Sequence, residues 1–369
     1  MRRGFPEKVE RIVLKLGTGI LTDSSKRLDL NRVEQLCAQV VQARKRQLDV
    51  VLVTSGAIGT GMGELKLEKR PKALPELQAL AAIGQGKLMS IYETVFGKQD
   101  ITVAQILLTH DDLKNRDRHL NARNTIETLL HHGVIPIINE NDTVSVAEIR
   151  FGDNDRLAAL VASLIKADLL IILTSVDGLY ENFDGKSGAN VGAATTPRPV
   201  PLVQEITPKI QNLAGGTTSA TSVGGMVSKL DAAKVVSAAG IPLIIANGLK
   251  ADTLACVLDG EEVGTLFAPK ASGMKSRKRW IAFFHKPKGT ILVDDGAKLA
   301  LVEGSKSLLA AGVRDVWDDF AKGDVISIRD VDGSEFARGI TGFSAAELKG
   351  LRGQKANREV VHRDDLVIL

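Results

Sequence analysis

Aromatic residues and cysteines are scarce in this chain of 369 residues. Phe, Trp and Tyr make up 4% of the sequence, so aliphatic side chains must fill the cores. Cys37 and Cys256 are far apart and neither lies in a Cys-x-x-Cys pair, which argues against a zinc site or a redox motif. No stretch approaches the roughly 18 apolar residues of a membrane span, and no apolar signal segment follows the N-terminal arginines. These absences predict a cytosolic globular protein.

Two familiar nucleotide-binding signatures are also missing. The sequence holds no G-x-x-x-x-G-K-[ST] loop, and no G-x-G-x-x-G motif opens a helix directly after the first predicted strand. The composition is ordinary, with 44% hydrophobic and 25% charged residues, which excludes a disordered, collagen-like or disulfide-dense chain. The net charge of +4 favours anionic ligands only weakly and does not require nucleic acid.

Apolar segments of strand length recur through the first two-thirds of the chain, at 11–16, 50–54, 101–108, 134–139, 169–174 and 241–246. Segments such as VVLV and LLIIL are apolar at successive positions, which is typical of strands covered on both faces. Helical patterns lie between or after them, at 31–47, 77–96, 118–130, 155–165 and 227–239. Asn31 with Glu34 resembles a capping box at the start of the first helix. The alternation predicts an α/β fold, a doubly wound and mainly parallel sheet sandwiched by helices.

The composition changes after residue 268. Residues 270–288 contain seven lysines and arginines and no acidic residue. Short strand-like segments follow at 291–293, 325–329, 336–341 and 366–369, with the hairpin signal Asp332-Gly333 between two of them. We therefore predict a first domain at 1–268, a basic linker at 269–288 and a small, mostly β domain at 289–369.

Five glycine-rich or polar segments lie where ligands bind such sheets, after strands or at helix starts. They are 15–19, 53–61, 139–142, 152–155 and 224–229. Glycine backbone can approach phosphate, and lysine supplies a point charge. Clustered Asp and Asn suit Mg²⁺, or could orient lysines and a substrate amine. Each segment alone could equally be a tight turn or a helix cap, so their combination carries the prediction of a site.

In this order, the segments resemble the glutamate 5-kinases of the amino-acid kinase superfamily. The resemblance runs through VLKLGTG, VTSGAIGTG, LNARNT, IINEND, FGDND, LTSVDGLY and GGMVSK, and the C-terminal part resembles a PUA domain. Single motifs are shared with aspartate, acetylglutamate and uridylate kinases, whereas NEND and GDND with a PUA-like tail are more specific. The resemblance implies ATP-dependent phosphorylation of the γ-carboxylate of L-glutamate to L-glutamyl 5-phosphate, the first step of proline biosynthesis.

The resemblance also implies roles for individual residues. Lys15 and Lys229 would contact the transferred phosphoryl group, and Asp155 would orient these lysines. Four further residues would bind or lie beside glutamate: Ser55, Asp142, Asn154 and Asn139.

ATP-binding residues are implied in the same way. They would be Lys15, Thr174, Ser175, Val223, Gly224, Gly225, Met226, Val227, Ser228 and Lys229. Ser175 and Val223 depart from the family pattern, which has Asp and Thr at these positions.

The implied partners are ATP with Mg²⁺, proline as a feedback inhibitor, and further copies of the chain in a homo-oligomer, a dimer or a tetramer. A sister kinase acting on another acceptor is one alternative. Another is an RNA-binding protein, because the basic segment with Trp280, Phe283 and Phe284 could supply phosphate and stacking contacts. We favour a solvated linker whose aromatic side chains pack into a core.

Overall fold

The structure, a computed structural model, describes residues 2, 4–23, 27–145, 154–181, 198–214, 225–270, 278, 280–284, 287–304, 306–351 and 358–369. The chain divides into two compact units, Met1–Gly273 and Met274–Leu369. The limits given above for the two domains and the linker stay a prediction.

One mainly parallel sheet organises the first unit. Its strands within the described ranges are β1 (Arg11–Leu16), β2 (Asp49–Thr54), β3 (Val103–Leu108), β4 (Ile135–Glu140), β5 (Leu169–Thr174), β6 (Leu202–Val203), β7 (Leu243–Asn247) and β8 (Thr265–Phe267). The spatial order is β3-β4-β2-β1-β5-β7-β8-β6, and the antiparallel pair is β7 with β8. The central strands β1, β2, β4 and β5 therefore end at the same edge of the sheet. The predicted α/β fold is confirmed.

Helices cover this sheet. Those of the described segments are α1 (Thr18–Leu21), α2 (Leu30–Lys45), α3 (Ala57–Glu64), α4 (Leu74–Gly97), α5 (His110–Lys114), α6 (Arg116–His131), α7 (Asn154–Ile165), α8 (Pro208–Ala214), α9 (Met226–Ala238) and α10 (Thr253–Leu258). Apolar side chains of β1, β2 and β5 pack with those of α2 and α4 in one core. Helix α7 lies against β1, β2, β4 and β5 and packs on α9. None of the described helices combines the length and hydropathy that a membrane span requires.

The predicted element limits are mostly close to those observed, with one error at a helix start. β1 and β5 begin and end as predicted. The capping box of Asn31 and Glu34 is wrong, because α2 begins at Leu30. Asp29 caps it, and its carboxylate accepts the backbone N–H of Arg32 at 3.2 Å. An acidic side chain two positions earlier thus occupies the capping role that Asn31 was expected to have.

The second unit contains a five-stranded sheet. Its strands are β9 (Gly289–Val293), β10 (Val313–Trp317), β11 (Val325–Arg329), β12 (Glu335–Ile340) and β13 (Leu366–Ile368), in the order β10-β9-β11-β12-β13. Helices α11 (Asp295–Val302) and α12 (Ala345–Leu351) accompany it. The predicted hairpin joins β11 to antiparallel β12, with Gly333 at a positive φ of 78°. Strand β10 was not predicted from the sequence, because two of its five residues, VRDVW, are charged and no apolar run marks it.

Part of the basic segment packs against this second sheet. Residues Trp280–Phe284 form a π-helix, and Ile281 is buried in a small cluster that includes Val325 and Val367. Trp280 and Phe283 are partly buried against the same cluster. The expected packing of these two aromatic side chains is therefore confirmed.

Helices α3 and α4 cross with their backbones in contact. A Cβ atom on Gly84 would lie 1.8 Å from the carbonyl oxygen of Ala57, and one on Gly61 would lie 2.0 Å from that of Leu80. Only glycine permits this approach. Because α3 begins just after β2, the crossing holds α4 close to the carboxyl end of that strand.

The glycine crossing gives a stability prediction. Gly84→Ala forces the two helices apart, and such overpacking typically lowers the free energy of unfolding by about 1–3 kcal/mol. Gly86→Ala is the matched control, since a Cβ there meets no atom within 4 Å. It should raise helix stability by about 0.5–1 kcal/mol. Thermal unfolding followed by circular dichroism compares the two variants, and equal melting temperatures would contradict the proposed contact.

Candidate active site

Two lysines and one aspartate converge at the carboxyl end of β1. Lys15 alternates with Leu14 and Leu16, which join the core shared with α2 and α4, so its side chain lies on the sheet face that carries α7. Asp155 lies in the first turn of α7, and Lys229 lies in the first turn of α9. Because α7 packs on both β1 and α9, three segments that are distant in sequence meet at one point.

The three charged groups form a compact buried cluster. The Nζ atom of Lys15 lies 2.6 Å from Oδ1 of Asp155, and the Nζ atom of Lys229 lies 3.0 Å from Oδ2. Ser228 donates its hydroxyl to the same Oδ2 at 2.7 Å. Side-chain exposure is 7% for Lys15, 2% for Asp155 and 9% for Lys229. Two ammonium groups against one carboxylate leave the cluster with an excess positive charge.

The carboxylate of Asp155 stays ionised despite its burial. Burial alone raises the pKa of this group, but the Coulombic attraction of Lys15 and Lys229 outweighs it. The result is a pKa lowered to about 2. At neutral pH the group therefore holds the two lysines and does not act as a general base.

The glycines after β1 leave space between this cluster and the end of β5. A Cβ atom on Gly17 would lie 3.4 Å from the Nζ atom of Lys15, and one on Gly19 would lie 3.6 Å from the Oγ atom of Ser175. Thr174 is the last residue of β5, and Ser175 follows it. The glycine loop thus passes from the Lys15 ammonium to two of the predicted nucleotide-binding residues.

A second cluster, the amide cluster, consists of Ser55, Asn139 and Asn154. The Nδ2 atom of Asn154 lies 2.9 Å from the Oγ atom of Ser55 and 3.0 Å from the Oδ1 atom of Asn139. It also lies 2.8 Å from the carbonyl oxygen of Thr54. Since Asn154 immediately precedes Asp155, the amide cluster adjoins the lysine cluster directly.

The remaining predicted residues are Asp142, which the structure describes, and two residues of the predicted nucleotide loop, which it does not. Asp142 lies partly buried in the turn after β4, three residues beyond Asn139. Burial lowers the pKa of Arg70, and the negative charge of Asp142 opposes this shift, so the two side chains interact. Val223 and Gly224 lie outside the described residues.

The described part of the predicted nucleotide loop opens helix α9. Gly225 precedes its first residue, and Met226 is buried, whereas Val227 is 54% exposed. Ser228 and Lys229 both contact Asp155. The loop therefore presents one apolar side chain to solvent and two polar groups to the cluster.

The family pattern has an acidic residue at position 175, directly after Thr174. Asp177, which lies two positions further along the chain, does not occupy that place in the structure. Its carboxylate accepts the side-chain amide of Asn247 at 2.9 Å and pairs with Lys250 at 2.7 Å. The hydrogen bond from Lys250 is the largest of the effects that lower the pKa of Asp177. Asp177 thus ties the loop after β5 to the loop after β7, and Ser175 occupies the position beside Gly19.

Sequence reasoning missed Gln85, a residue of α4. Its Oε1 atom accepts the side-chain amide of Asn139 at 2.8 Å, which extends the amide cluster by one member. The sequence does carry a signal for it. Gln85 lies between Gly84 and Leu88 on the buried stripe of an otherwise apolar helix face, where a polar side chain is unexpected.

The described residues do not form a Mg²⁺ site made of protein ligands alone. Among them, no group of three or more His, Cys, Asp or Glu side chains could hold a metal ion. Both carboxylate oxygens of Asp155 are already engaged by lysines. Mg²⁺ bound to a nucleotide takes phosphate oxygens and waters as its main ligands, and such an ion would need little from these side chains.

Known proteins resemble the chain over its whole length. Residues 10–247 match the amino acid kinase family, and residues 289–361 match the PUA domain. Glutamate 5-kinase of Moorella thermoacetica is 45% identical over 98% of this chain and 97% of its own length. Glutamate 5-kinase of Geobacter sulfurreducens is 45% identical over the full length of both chains. Among solved structures, carbamate kinase from Giardia lamblia bound to AMP-PNP is 19% identical, with a TM-score of 0.49, over 71% of this chain and 99% of that chain.

The buried cluster gives a stability prediction with a defined pH dependence. Asp155→Asn removes the carboxylate that pairs with two buried ammonium groups, which should lower the free energy of unfolding by about 3–5 kcal/mol at pH 7. The wild-type carboxyl has a pKa of about 2 when folded and about 3.9 when unfolded. The contribution of this carboxylate to the free energy of unfolding is therefore present above about pH 4 and is lost as the pH falls towards 2. The difference in free energy of unfolding between the wild type and Asp155→Asn should shrink over that range of pH.

Urea unfolding at a series of pH values from 7 downwards measures this difference. Asp259→Asn is the control, because Asp259 pairs with Arg46 at the surface with 52% of its side chain exposed. Surface pairs contribute about 0–1 kcal/mol. Equal unfolding midpoints for Asp155→Asn and the wild type at pH 7 would show that the buried charges do not stabilise the fold.

Proposed function

Because the chain belongs to the amino acid kinase family, and within it to the group of the glutamate 5-kinases, we propose that it transfers the γ-phosphoryl group of ATP to the γ-carboxylate of L-glutamate. The product is L-glutamyl 5-phosphate, and the reaction is the first step of proline biosynthesis. The observation that supports this most strongly is the buried Lys15–Asp155–Lys229 cluster beside an amide cluster.

The acceptor needs no deprotonation. A glutamate side chain has an unperturbed pKa of about 4.3 and is ionised at neutral pH. What the transfer requires is alignment of two anions and stabilisation of negative charge that spreads over the transferred group. A pocket whose described residues carry excess positive charge and include no general base suits this requirement.

Lys15 and Lys229 are the proposed catalytic residues. Their ammonium groups act as preorganised point charges on the migrating phosphoryl group. Asp155 is a positioning residue, since it acts through the lysines that it holds. As the reaction begins, each ammonium can keep one contact with Asp155 while its other N–H groups turn towards phosphate oxygens.

ATP is proposed to lie between the end of β5 and the start of α9. Thr174 and Ser175 would contact the nucleotide, together with the loop 223–229. The N-terminus of a helix favours phosphate, and Gly225 permits close backbone approach there. Mg²⁺ would enter with the nucleotide, coordinated by phosphate oxygens and water, and would neutralise charge on the phosphates.

Glutamate is proposed to lie over the amide cluster. Ser55 and Asn154 present a hydroxyl and an amide beside the lysines, and Asn139 supports the Asn154 amide. The carboxylate of Asp142 would bind the α-ammonium group. This arrangement directs the γ-carboxylate towards Lys15 and Lys229.

Three further properties are proposed from family membership. Proline would inhibit as the end product of the pathway, the chain would form a homo-oligomer, a dimer or a tetramer, and the enzyme would act in the cytoplasm, where ATP and glutamate are available. Activity at increasing proline concentration and size-exclusion chromatography with light scattering would test the first two properties.

The substrate is tested by ATP consumption with a panel of acceptors. L-glutamate should support ADP formation, and hydroxylamine should trap the other product, L-glutamyl 5-phosphate, as the γ-hydroxamate with release of phosphate. Aspartate, N-acetylglutamate and UMP should not support ADP formation. Turnover with one of those three and none with glutamate would overturn the proposed acceptor while leaving a kinase. No ADP formation with any acceptor would overturn the proposed activity.

Removing either lysine should abolish most of the rate. We expect Lys15→Ala and Lys229→Ala each to lower kcat by roughly 100-fold or more, the effect of losing one preorganised electrostatic group. Lys234→Ala is the matched control on α9, because Lys234 is 42% exposed and pairs with Asp231 at the surface. Steady-state kinetics with both substrates measures the effect, and a wild-type kcat in either test variant would refute the assignment.

Removing Asp142 should instead weaken substrate binding. Asp142→Ala is expected to raise the KM for glutamate by roughly tenfold or more, with a smaller change in kcat and none in the KM for ATP. Asp111→Ala, at an 82% exposed carboxylate on α5, is the control. An unchanged KM for glutamate would remove Asp142 from the site.

A further inference from the structure

Gln85 lies at the end of the amide cluster, and the proposed reaction gives it no role. It is buried in α4, with 9% of its surface exposed. Its oxygen accepts a hydrogen bond from Asn139, whereas its enclosed Nε2 atom has no hydrogen-bond partner in the described part of the chain. A buried donor without a partner is unfavourable and calls for an explanation.

The hydrogen bonds around Asn139 determine which end of the Gln85 amide is the nitrogen. The backbone N–H of Glu140 can only donate, and it donates to Oδ1 of Asn139 at 2.9 Å. The other end of the Asn139 amide is therefore Nδ2, which donates to Gln85 at 2.8 Å. Gln85 must present its oxygen there, because a flipped amide would set two NH₂ groups against each other. The nitrogen consequently points away from Asn139.

Strand register gives the spacing between the backbone at Lys15 and the backbone next to Asn139, the residue that Gln85 contacts. Lys15 pairs with Val53, and Val53 pairs with Ile138, the residue before Asn139. Two strand spacings separate Lys15 from that position, roughly 10 Å. The carboxylate that accepts the phosphoryl group must lie beside Lys15. The opposite end of an extended dicarboxylic amino acid then reaches towards β4 and Gln85.

We propose that Gln85 is a substrate-binding residue whose Nε2 donates a hydrogen bond to the α-carboxylate of the acceptor. A neutral N–H donor suits an anionic oxygen and does not suit the α-ammonium group, for which Asp142 provides a carboxylate. Gln85 therefore selects acceptors that carry an α-carboxylate, while its oxygen holds the Asn139 amide in place. The assignment rests on the proposed glutamate kinase function.

Gln85→Glu tests the role of the amide nitrogen separately from that of the amide oxygen. The variant keeps an oxygen for Asn139 and replaces the donor with a negatively charged oxygen. The KM for glutamate should rise on the order of 10- to 100-fold, the loss expected for a hydrogen bond to a charged group. The KM for ATP should not change. Gln99→Glu, at an exposed position just after α4, controls for the added charge.

A substrate analogue identifies the group that Gln85 contacts. In the α-amide of glutamate, a carboxamide replaces the α-carboxylate and can donate to the introduced carboxylate. The ratio of kcat/KM for glutamate to kcat/KM for this analogue should therefore fall at least tenfold in Gln85→Glu relative to the wild type. Gln85→Met has a similar volume and removes both polar ends. It should also lose preference for glutamate over the α-amide.

Each outcome decides the matter. If Gln85→Glu leaves the KM for glutamate unchanged, or raises it equally for both acceptors, Gln85 acts only through Asn139 or packing and the proposal is overturned. If Gln85→Glu does not fold, Gln85→Met provides the test by itself. A Gln85→Met enzyme that prefers glutamate over the α-amide as strongly as the wild type does would then overturn the proposal. A wild-type enzyme that does not turn over glutamate would instead overturn the proposed function, and that measurement comes first.

Discussion

The carboxylate of Asp155 holds two buried ammonium groups, one at each of its oxygens, and the rest of the candidate site depends on it. Without the carboxylate, the mutual repulsion of Lys15 and Lys229 in a poorly solvated interior would separate α9 from β1. With it, the positive charge is in place before any substrate arrives. The attraction that stabilises the fold therefore also prepares the charge distribution that the proposed phosphoryl transfer needs, and little reorganisation would remain for the reaction itself.

The start of α7 connects the two halves of the site. Asn154 and Asp155 are consecutive, and successive side chains on a helix point about 100° apart. Asn154 therefore faces Ser55 and Asn139 at the ends of β2 and β4, while Asp155 faces the two lysines. One rigid helix turn thus sets the position of the proposed acceptor-binding groups relative to the proposed phosphoryl-binding lysines. A shift of α7 would disturb both together.

Prediction from sequence succeeded where the signal is local and failed where it is tertiary. The limits of β5 could be predicted because an unbroken aliphatic run ends at Thr174, and those of β1 because a run interrupted only by Lys15 ends at Gly17. Strands β6 and β8 are too short to carry a pattern. The segments that bear the lysines, Asp155 and the amide cluster could be found from their residue types. Their pairing could be anticipated only from the family resemblance, because it depends on which helix packs on which strand. Gln85 lies 54 residues from Asn139, and only the glycine crossing of α3 and α4 brings the two together.

The spacing of the strands offers a physical reason for acceptor length. If the γ-carboxylate lies beside Lys15 on β1 and the α-carboxylate meets Gln85 next to β4, the parallel strands β1, β2 and β4 fix the distance between the two ends. Backbone hydrogen bonds set the spacing of each neighbouring pair. A shorter dicarboxylic amino acid could satisfy one end only and would leave a buried polar group unpaired at the other. Sites built on such paired polar ends discriminate far more strongly than apolar pockets that measure one methylene. Selectivity for glutamate would then come from the spacing of the strands and from Gln85 on α4. Gly61 and Gly84 allow that helix to lie close enough for the contact.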